Sequence, residues 1–179
     1  MAMYSVDICL SGGSKSLHEA ALEFLAKVKT QFPRNFRDAK VLELGSLNIN
    51  GSPRPFFEDC CYVGVDWREG PDVDLVAFAS DLKYPDEMFD TVVSTEMFEH
   101  DCFAKVSFVN ALRMLKKGGL FVFTCANGKR KPHEIRAGFG GYYKGVTKFQ
   151  VIEWLLNYGQ FSKFCLEEEG EDLRGWVVK

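Results

Sequence analysis

Five short runs of apolar residues punctuate the chain: "KVLELG" at 40–45, "CYVGVD" at 61–66, "VDLVAF" at 73–78, "FDTVVST" at 89–95 and "LFVFTCA" at 120–126. Each is nearly continuous rather than alternating, the pattern of strands buried on both faces of a parallel sheet. Segments of helical period lie around them. Leu17, Ala21, Phe24, Leu25 and Val28 form one stripe, which opens on a capping-box spacing, Ser16 to Glu19, and closes at Pro33. A second helix is predicted over 102–116, burying Phe103, Val106, Val109, Leu112 and Leu115 and ending at Gly118–Gly119. A third starts at Thr147, boxed with Gln150, carries Val151, Ile152, Leu155 and Leu156, and stops at Gly159. The tail "KFCLEEEGEDLRGWVVK" reads as a closing hairpin.

Strands alternating with helices predict an α/β fold: a Rossmann-like, doubly wound, mostly parallel sheet with an antiparallel C-terminal strand. One junction departs from it. Only "WREGPD" separates the second run from the third, whereas parallel neighbours need a crossover of a dozen or more residues. The helix after the second strand is therefore expected to be missing, and 73–78 to be a short edge strand or no proper strand. No linker or repeat divides the 179 residues, so one domain is expected. It consists of an N-terminal helical segment (1–39), a ligand-binding core (40–126), a loop (127–147) and a closing helix and hairpin (148–179).

Composition changes this picture little. A net charge of −3 offers no general attraction to nucleic acid or anionic membranes, so any anion-binding surface must be local. The six cysteines form no CxxC pair, and several sit within apolar runs, which points to a reducing, cytoplasmic setting without zinc or another metal. "MAMYSVDICL" lacks the basic flank and apolar core of a signal peptide, and no apolar stretch approaches the ~20 residues of a membrane span.

The chemistry turns on "VLELGSLNINGS", 41–52, a strand running into a glycine-bounded loop. A phosphate-binding loop would need GxxxxGK[ST]; here no lysine follows Gly51. The dinucleotide fingerprint GxGxxG needs glycine where Leu47 stands, which disfavours a nicotinamide cofactor. S-adenosylmethionine carries no phosphates, and requires backbone groups from a tight turn and an acid for its ribose. Asp66, at the end of the second strand, is placed for that acid, although the same position serves NAD.

The stretch "SDLKYPDEMFDTVVSTEMFEH", 80–100, resembles the class I S-adenosylmethionine-dependent methyltransferases, especially the small type 11 group, with its "FDxVxS" opening and "E-x-x-E-H" end. "LRMLKKGGLFVFT" is similar to that family's "L-KPGG-hhhh" segment, and the likeness runs from about Val41 to Thr124. The resemblance implies S-adenosylmethionine as cofactor, bound by Glu43, Gly45 and Ser46 of the first motif and by Asp66 at the ribose. It also implies Asp81 and Leu82 at the adenine, and Thr95 and Glu96 at the methionine moiety. Leu47 and Ile49 replace the family's later glycines and Gly51 comes late, so a longer loop path is expected, with Asn48 or Asn50 left-handed.

The segment 127–147, "NGKRKPHEIRAGFGGYYKGVT", is basic, aromatic and glycine-rich, and follows the fifth strand at the sheet edge where ligands bind. It reads either as a solvated loop or as a lid over a small-molecule acceptor, with cations suited to an anion. His133, His100 and Tyr143 are the candidate catalytic residues, His133 foremost as a general base. The reading is an S-adenosylmethionine-dependent methyltransferase; a non-catalytic methyltransferase-like binding module and an NAD(P)-dependent oxidoreductase are the alternatives.

Overall fold

The structure, a computed structural model, describes residues 17–132 and 141–179. Its centre is a seven-stranded sheet built from β1 (Lys40–Leu44), β2 (Cys61–Asp66), β3 (Leu75–Val76), β4 (Phe89–Thr95), β5 (Leu115–Ala126), β6 (Lys163–Glu169) and β7 (Asp172–Val178). The strand order is β3-β2-β1-β4-β5-β7-β6. Neighbours from β3 through β5 are parallel, and β7 runs antiparallel to both β5 and β6. The order reverses between β1 and β4, which creates the crevice where open α/β sheets bind ligands.

Period-two burial sends side chains to both faces. Val41, Val93, Leu120 and Val122 meet Phe24, Leu25 and Val28 of α1 (Leu17–Gln31) on one side. Leu42, Leu44, Val92, Phe121 and Phe123 face the other side, packing with Phe108, Leu112, Trp154 and Leu155 of α2 (Ala104–Met114) and α3 (Lys148–Tyr158). This two-sided burial is why the central strands read as unbroken apolar runs. The helix-opening pair Thr147 and Gln150 forms the full capping box, and Gly159 closes α3 in the left-handed conformation. Ser16, the other expected cap, lies outside the described residues.

The helix after β2 is absent, as the short junction implied. β3 pairs with only the last two residues of β2, so its approach loop need only turn back rather than retrace a strand. Asp74 pins that loop, its amide donating to the Gly64 carbonyl and its carboxylate accepting from the Gly64 amide at 2.7 Å. No α-helix joins β1 to β2 either, only a single 3-10 turn at Arg54–Phe56.

Two helix assignments need correction. The second helix begins at Ala104 and buries Ser107, Phe108, Ala111, Leu112 and Met114, whereas Phe103 and Val106 are exposed and Val109 is half-buried. The segment holds two apolar stripes a fraction of a turn apart, and the Phe98–Phe121–Phe123 cluster selects the one containing Phe108. It also ends at Met114, not at the glycines. Leu115 already belongs to β5, and Lys116–Gly119 bulge out between the pairs Phe89–Leu115 and Thr91–Leu120. In α3, Trp154 takes the core position expected of Leu156, which is exposed.

Candidate functional site

A cavity of about 580 Å³ opens at the carboxyl ends of β1, β2 and β4. Its floor is the junction after β1. Gly45 sits at φ +81°, and a Cβ there would lie 2.6 Å from the Met97 side chain, so the sequence needs glycine twice over. Gly45 and Ser46 both donate backbone N–H bonds to the Val65 carbonyl. Ser46 is buried, and its Oγ has no hydrogen-bond partner among the described residues.

Leu47 fits where a fingerprint glycine would stand because its side chain is received over Gly70, whose own Cβ would collide with Leu47 Cδ1. The Leu47 amide donates to Asp66 Oδ2 at 3.3 Å, and the Arg68 amide donates to Asp66 Oδ1 at 3.0 Å. Asp66 thus joins the two loops and faces the cavity. Neither Asn48 nor Asn50 is left-handed, contrary to expectation. Asn48 instead works through its side chain, donating to Asp72 and accepting from the Gly51 amide.

Glu43 lies beneath this floor, almost fully buried, and accepts from the Tyr62 hydroxyl at 2.9 Å. Burial pushes its pKa up to about 7, against the Tyr62 hydrogen bond and the Arg54 charge.

Along the β2 side the wall is Trp67, Arg68, Ala77, Phe78 and Ala79. The Trp67 and Phe78 rings are parallel within 6° at 6.2 Å, both half-exposed, and the Arg68 guanidinium lies 4.6 Å from the centroid of the Trp67 ring. Asp81 and Leu82, expected at the adenine, do not line the cavity. Asp81 is exposed at the end of a 3-10 turn, and Leu82 is buried in the core with its carbonyl bonded by Asn110 and Arg113. The lining on this side ends earlier, at Phe78 and Ala79.

The far end is built on the turn after β4, from Thr95, Glu96, Met97, Glu99, His100, Asp101 and Cys102, together with Arg130, Gly141 and Tyr142. Glu96 holds a left-handed backbone at φ +54°, costly for a side-chain-bearing residue and frequent at working sites. It is fixed from both sides, its amide donating to the Thr124 carbonyl and its carboxylate accepting from the Thr124 hydroxyl at 2.9 Å. Arg130 is buried and ion-paired to Glu96 at 2.6 Å and to Asp172 of β7, with Glu99 at 3.5 Å. Burial works against its charge, but Glu96 and Asp172 outweigh that and hold its pKa above the ordinary value.

Glu99, fully buried, accepts from the Ala126 amide through Oε1, while its Oε2 has no partner among the described residues. Burial first, and then the neighbouring Glu96, push its carboxyl pKa upward. It stood inside the quoted "E-x-x-E-H" segment. Its burial could not be read there, because it depends on the turn that folds Glu99 back under β5.

His100 lines the cavity, and its ring meets that of Tyr143 edge-on at 5.1 Å. Tyr143 itself stands behind its lining neighbour Tyr142, with its pKa pushed up to about 12 by burial and by Glu99. His133 lies outside the described residues. The described ends of 127–147 are packed rather than free. Asn127 and Val146 are buried, the Lys144 amide donates to the Glu99 carbonyl, and the Val146 amide donates to the Ala126 carbonyl. Arg130, a cation of the segment read either as a solvated loop or as an anion-recognising lid, is held by the carboxylates around it.

Residues 63–123 match the family described as a methyltransferase domain. No protein of curated function matches the chain in sequence. Among solved structures, the Burkholderia thailandensis 1,6-didemethyltoxoflavin-N1-methyltransferase with bound 1,6-didemethyltoxoflavin and S-adenosylhomocysteine superposes with a TM-score of 0.64 at 16% identity, over 90% of this chain and 79% of its own. A Thermotoga maritima S-adenosylmethionine-dependent methyltransferase, titled a possible histamine N-methyltransferase, superposes with a TM-score of 0.63 at 18% identity over 91% of each chain. The [4+2]-cyclase SpnF shares the fold at a TM-score of 0.63 and 19% identity, over 88% of this chain and 63% of its own. From Val63 to Phe123 the chain matches the model of a methyltransferase domain, and as a whole it shares the fold of solved S-adenosylmethionine-dependent methyltransferases.

Proposed function

We propose that the protein is an S-adenosylmethionine-dependent methyltransferase acting on a small-molecule acceptor. The observation that carries this reading is the single cavity wall formed at the β1–β4 switch point by Gly45, Ser46 and Asp66. The residues present fit the cofactor. Ser46 Oγ is a buried donor awaiting a partner, Gly45 keeps the backbone open to a ligand, and Asp66 has acceptor capacity beyond its two amide bonds.

In this reading the Gly45–Ser46 turn holds the amino acid end and Asp66 accepts from the ribose hydroxyls. The Trp67–Phe78 pair flanks the base, and Thr95 and Glu96 border the reacting end. Bound there, S-adenosylmethionine supplies a methyl group already activated by its sulfonium. The chain's contribution is then alignment and exclusion of water, and alignment is worth up to ~7–11 kcal/mol of barrier. Arg130 serves by fixing the turn that carries Glu96 and Glu99. The replaced glycines kept a non-catalytic module as an alternative; the Leu47–Gly70 contact shows how the loop accommodates the first replacement, which supports the catalytic reading.

Isothermal calorimetry with S-adenosylhomocysteine and with NADH tests the reading. Binding of the first and not the second is expected, and the reverse overturns it. The shared fold of a cyclase makes the second step necessary: methyl transfer from radiolabelled cofactor to an amine-containing metabolite extract.

A further inference from the structure

We infer that the end of the cavity bounded by Glu99, His100 and Tyr142 binds the acceptor as a basic amine, with Oε2 of Glu99 as the hydrogen-bond partner of its nitrogen. The inference rests on the methyltransferase reading and extends it to N-methylation.

Three observations converge. First, Glu99 lines the cavity while fully buried, with Oε1 occupied by the Ala126 amide and Oε2 unpartnered among the described residues. A buried acceptor left without a donor costs about 1–3 kcal/mol, a cost that a ligand N–H at this point removes. Second, the ionisable side chains that line the cavity among the described residues are mostly acidic: Glu43, Asp66, Glu96, Glu99 and Asp101 against Arg68 and Arg130. Arg68 sits at the opposite end over Trp67, and Arg130 is shared among Glu96, Glu99 and Asp172. Lys129, Lys131 and Lys144 are exposed and outside the lining, so a carboxylate or phosphate acceptor would meet like charge here. Third, Tyr142 is half-exposed and lines the same cavity as Glu99 and His100, and its ring can cover the carbon skeleton of an amine or support its cation.

The groups facing Glu99 are Glu96 on its own turn, Cys125 on β5, Arg130 after β5, Tyr143, and Asp172 on β7. Burial and Glu96 favour its protonated form. A primary amine arrives as its ammonium, so the pair gives one proton to solvent on binding and shares the one that remains. With that proton on Oε2, the nitrogen lone pair is free. It forms the N–C bond to the transferred methyl as the carbon–sulfur bond breaks, and that bond's electron pair returns to sulfur. The secondary ammonium so formed leaves with its proton and Glu99 keeps the one on Oε2, so the proton given up on binding is the single one released per turnover.

The test is calorimetry on protein saturated with S-adenosylhomocysteine, titrated with benzylamine, benzyl alcohol and benzoate near pH 7 in two buffers of different ionisation heat. Benzylamine is expected to bind at least roughly tenfold more tightly than the other two, with release of about one proton. Glu99→Gln should lose both the preference and the proton while keeping its S-adenosylhomocysteine affinity. The buffer dependence in the wild-type protein is informative even if that variant does not fold. Preference for benzoate, no binding of benzylamine, or benzylamine binding without proton release in the wild-type protein overturns the inference alone. An unchanged preference in a folded Glu99→Gln does the same. Failure of S-adenosylhomocysteine to bind the wild-type protein overturns the methyltransferase reading and this inference with it.

Discussion

Replacing Glu43 by glutamine should stabilise the protein in alkaline solution and do nothing in acid. The carboxyl is almost fully buried under the Gly45 turn, and burial moves its pKa from the ordinary 4.5 to about 7 despite the Tyr62 hydroxyl. Between those values the folded protein holds a proton that the unfolded chain has released. Stability therefore falls as pH rises through this window, and the full cost persists above it. At about 1.36 kcal/mol per pH unit, the gap corresponds to roughly 3 kcal/mol. Glutamine keeps an oxygen to accept from Tyr62 and carries no charge to bury, so it escapes most of that cost. Urea unfolding of the wild-type protein and Glu43→Gln from about pH 4 to pH 9 measures it. The two stability curves should meet near pH 4 and separate by roughly 2–3 kcal/mol by pH 8, the variant being the more stable. A difference independent of pH would show that the charge is not the cause. A variant less stable at pH 8 would show that the fold needs the anion, and the argument from burial would be wrong.

Asp66→Ala should weaken S-adenosylhomocysteine binding about ten- to a hundredfold by calorimetry, since a hydrogen bond to a charged group is worth about 1.5–3 kcal/mol; unchanged affinity in a folded variant removes Asp66 from the site. Arg130→Met leaves Glu96, Glu99 and Asp172 without their shared cation and should cost about 3–5 kcal/mol in denaturant unfolding near neutral pH, with a smaller loss at acidic pH where the carboxylates take up protons. Gly45→Ala meets both the φ of +81° and the Met97 side chain, and should cost at least about 1 kcal/mol; Met97→Gly in the same protein should recover part of it, and no recovery would place the cost wholly in the backbone.

The central sheet was legible because burial on both faces leaves its mark directly in composition: β1, β2 and β4 coincide with apolar runs read without any structure. Local chemistry was equally readable where it is self-contained, as in the Thr147–Gln150 box and the Gly159 stop. The phase of α2 was not, since Phe103, Val106 and Phe108 are all apolar and only the partner surface decides which of them turns inward. Asp66 and Glu96 stand on the cavity, whereas Asp81 lies two residues past Ala79, where the lining on that side ends. Glu99 and Arg130 illustrate the remaining gap. Nothing local marks a glutamate in a turn or an arginine in a basic loop as buried, and their burial arises from contacts made across 31 and 42 positions, with each other and with Asp172.

Asp172 gives the C-terminal hairpin a part in the order of events during synthesis. The Gly45 turn, Asp66 and the Glu96 turn have all left the ribosome well before β7, which brings the second counter-charge for Arg130 and the outer edge for β5. Domains form from the N-terminus while translation proceeds at about 5–20 residues per second, so for several seconds the nascent chain holds the Gly45–Asp66 end of the cavity without a finished Glu96–Arg130 end. Insertion of β7 between β5 and β6 completes both the sheet and the charge balance in one event. Arrest between Arg130 and Asp172 therefore yields a chain with Glu96 and Glu99 in place and Arg130 lacking its partner on β7.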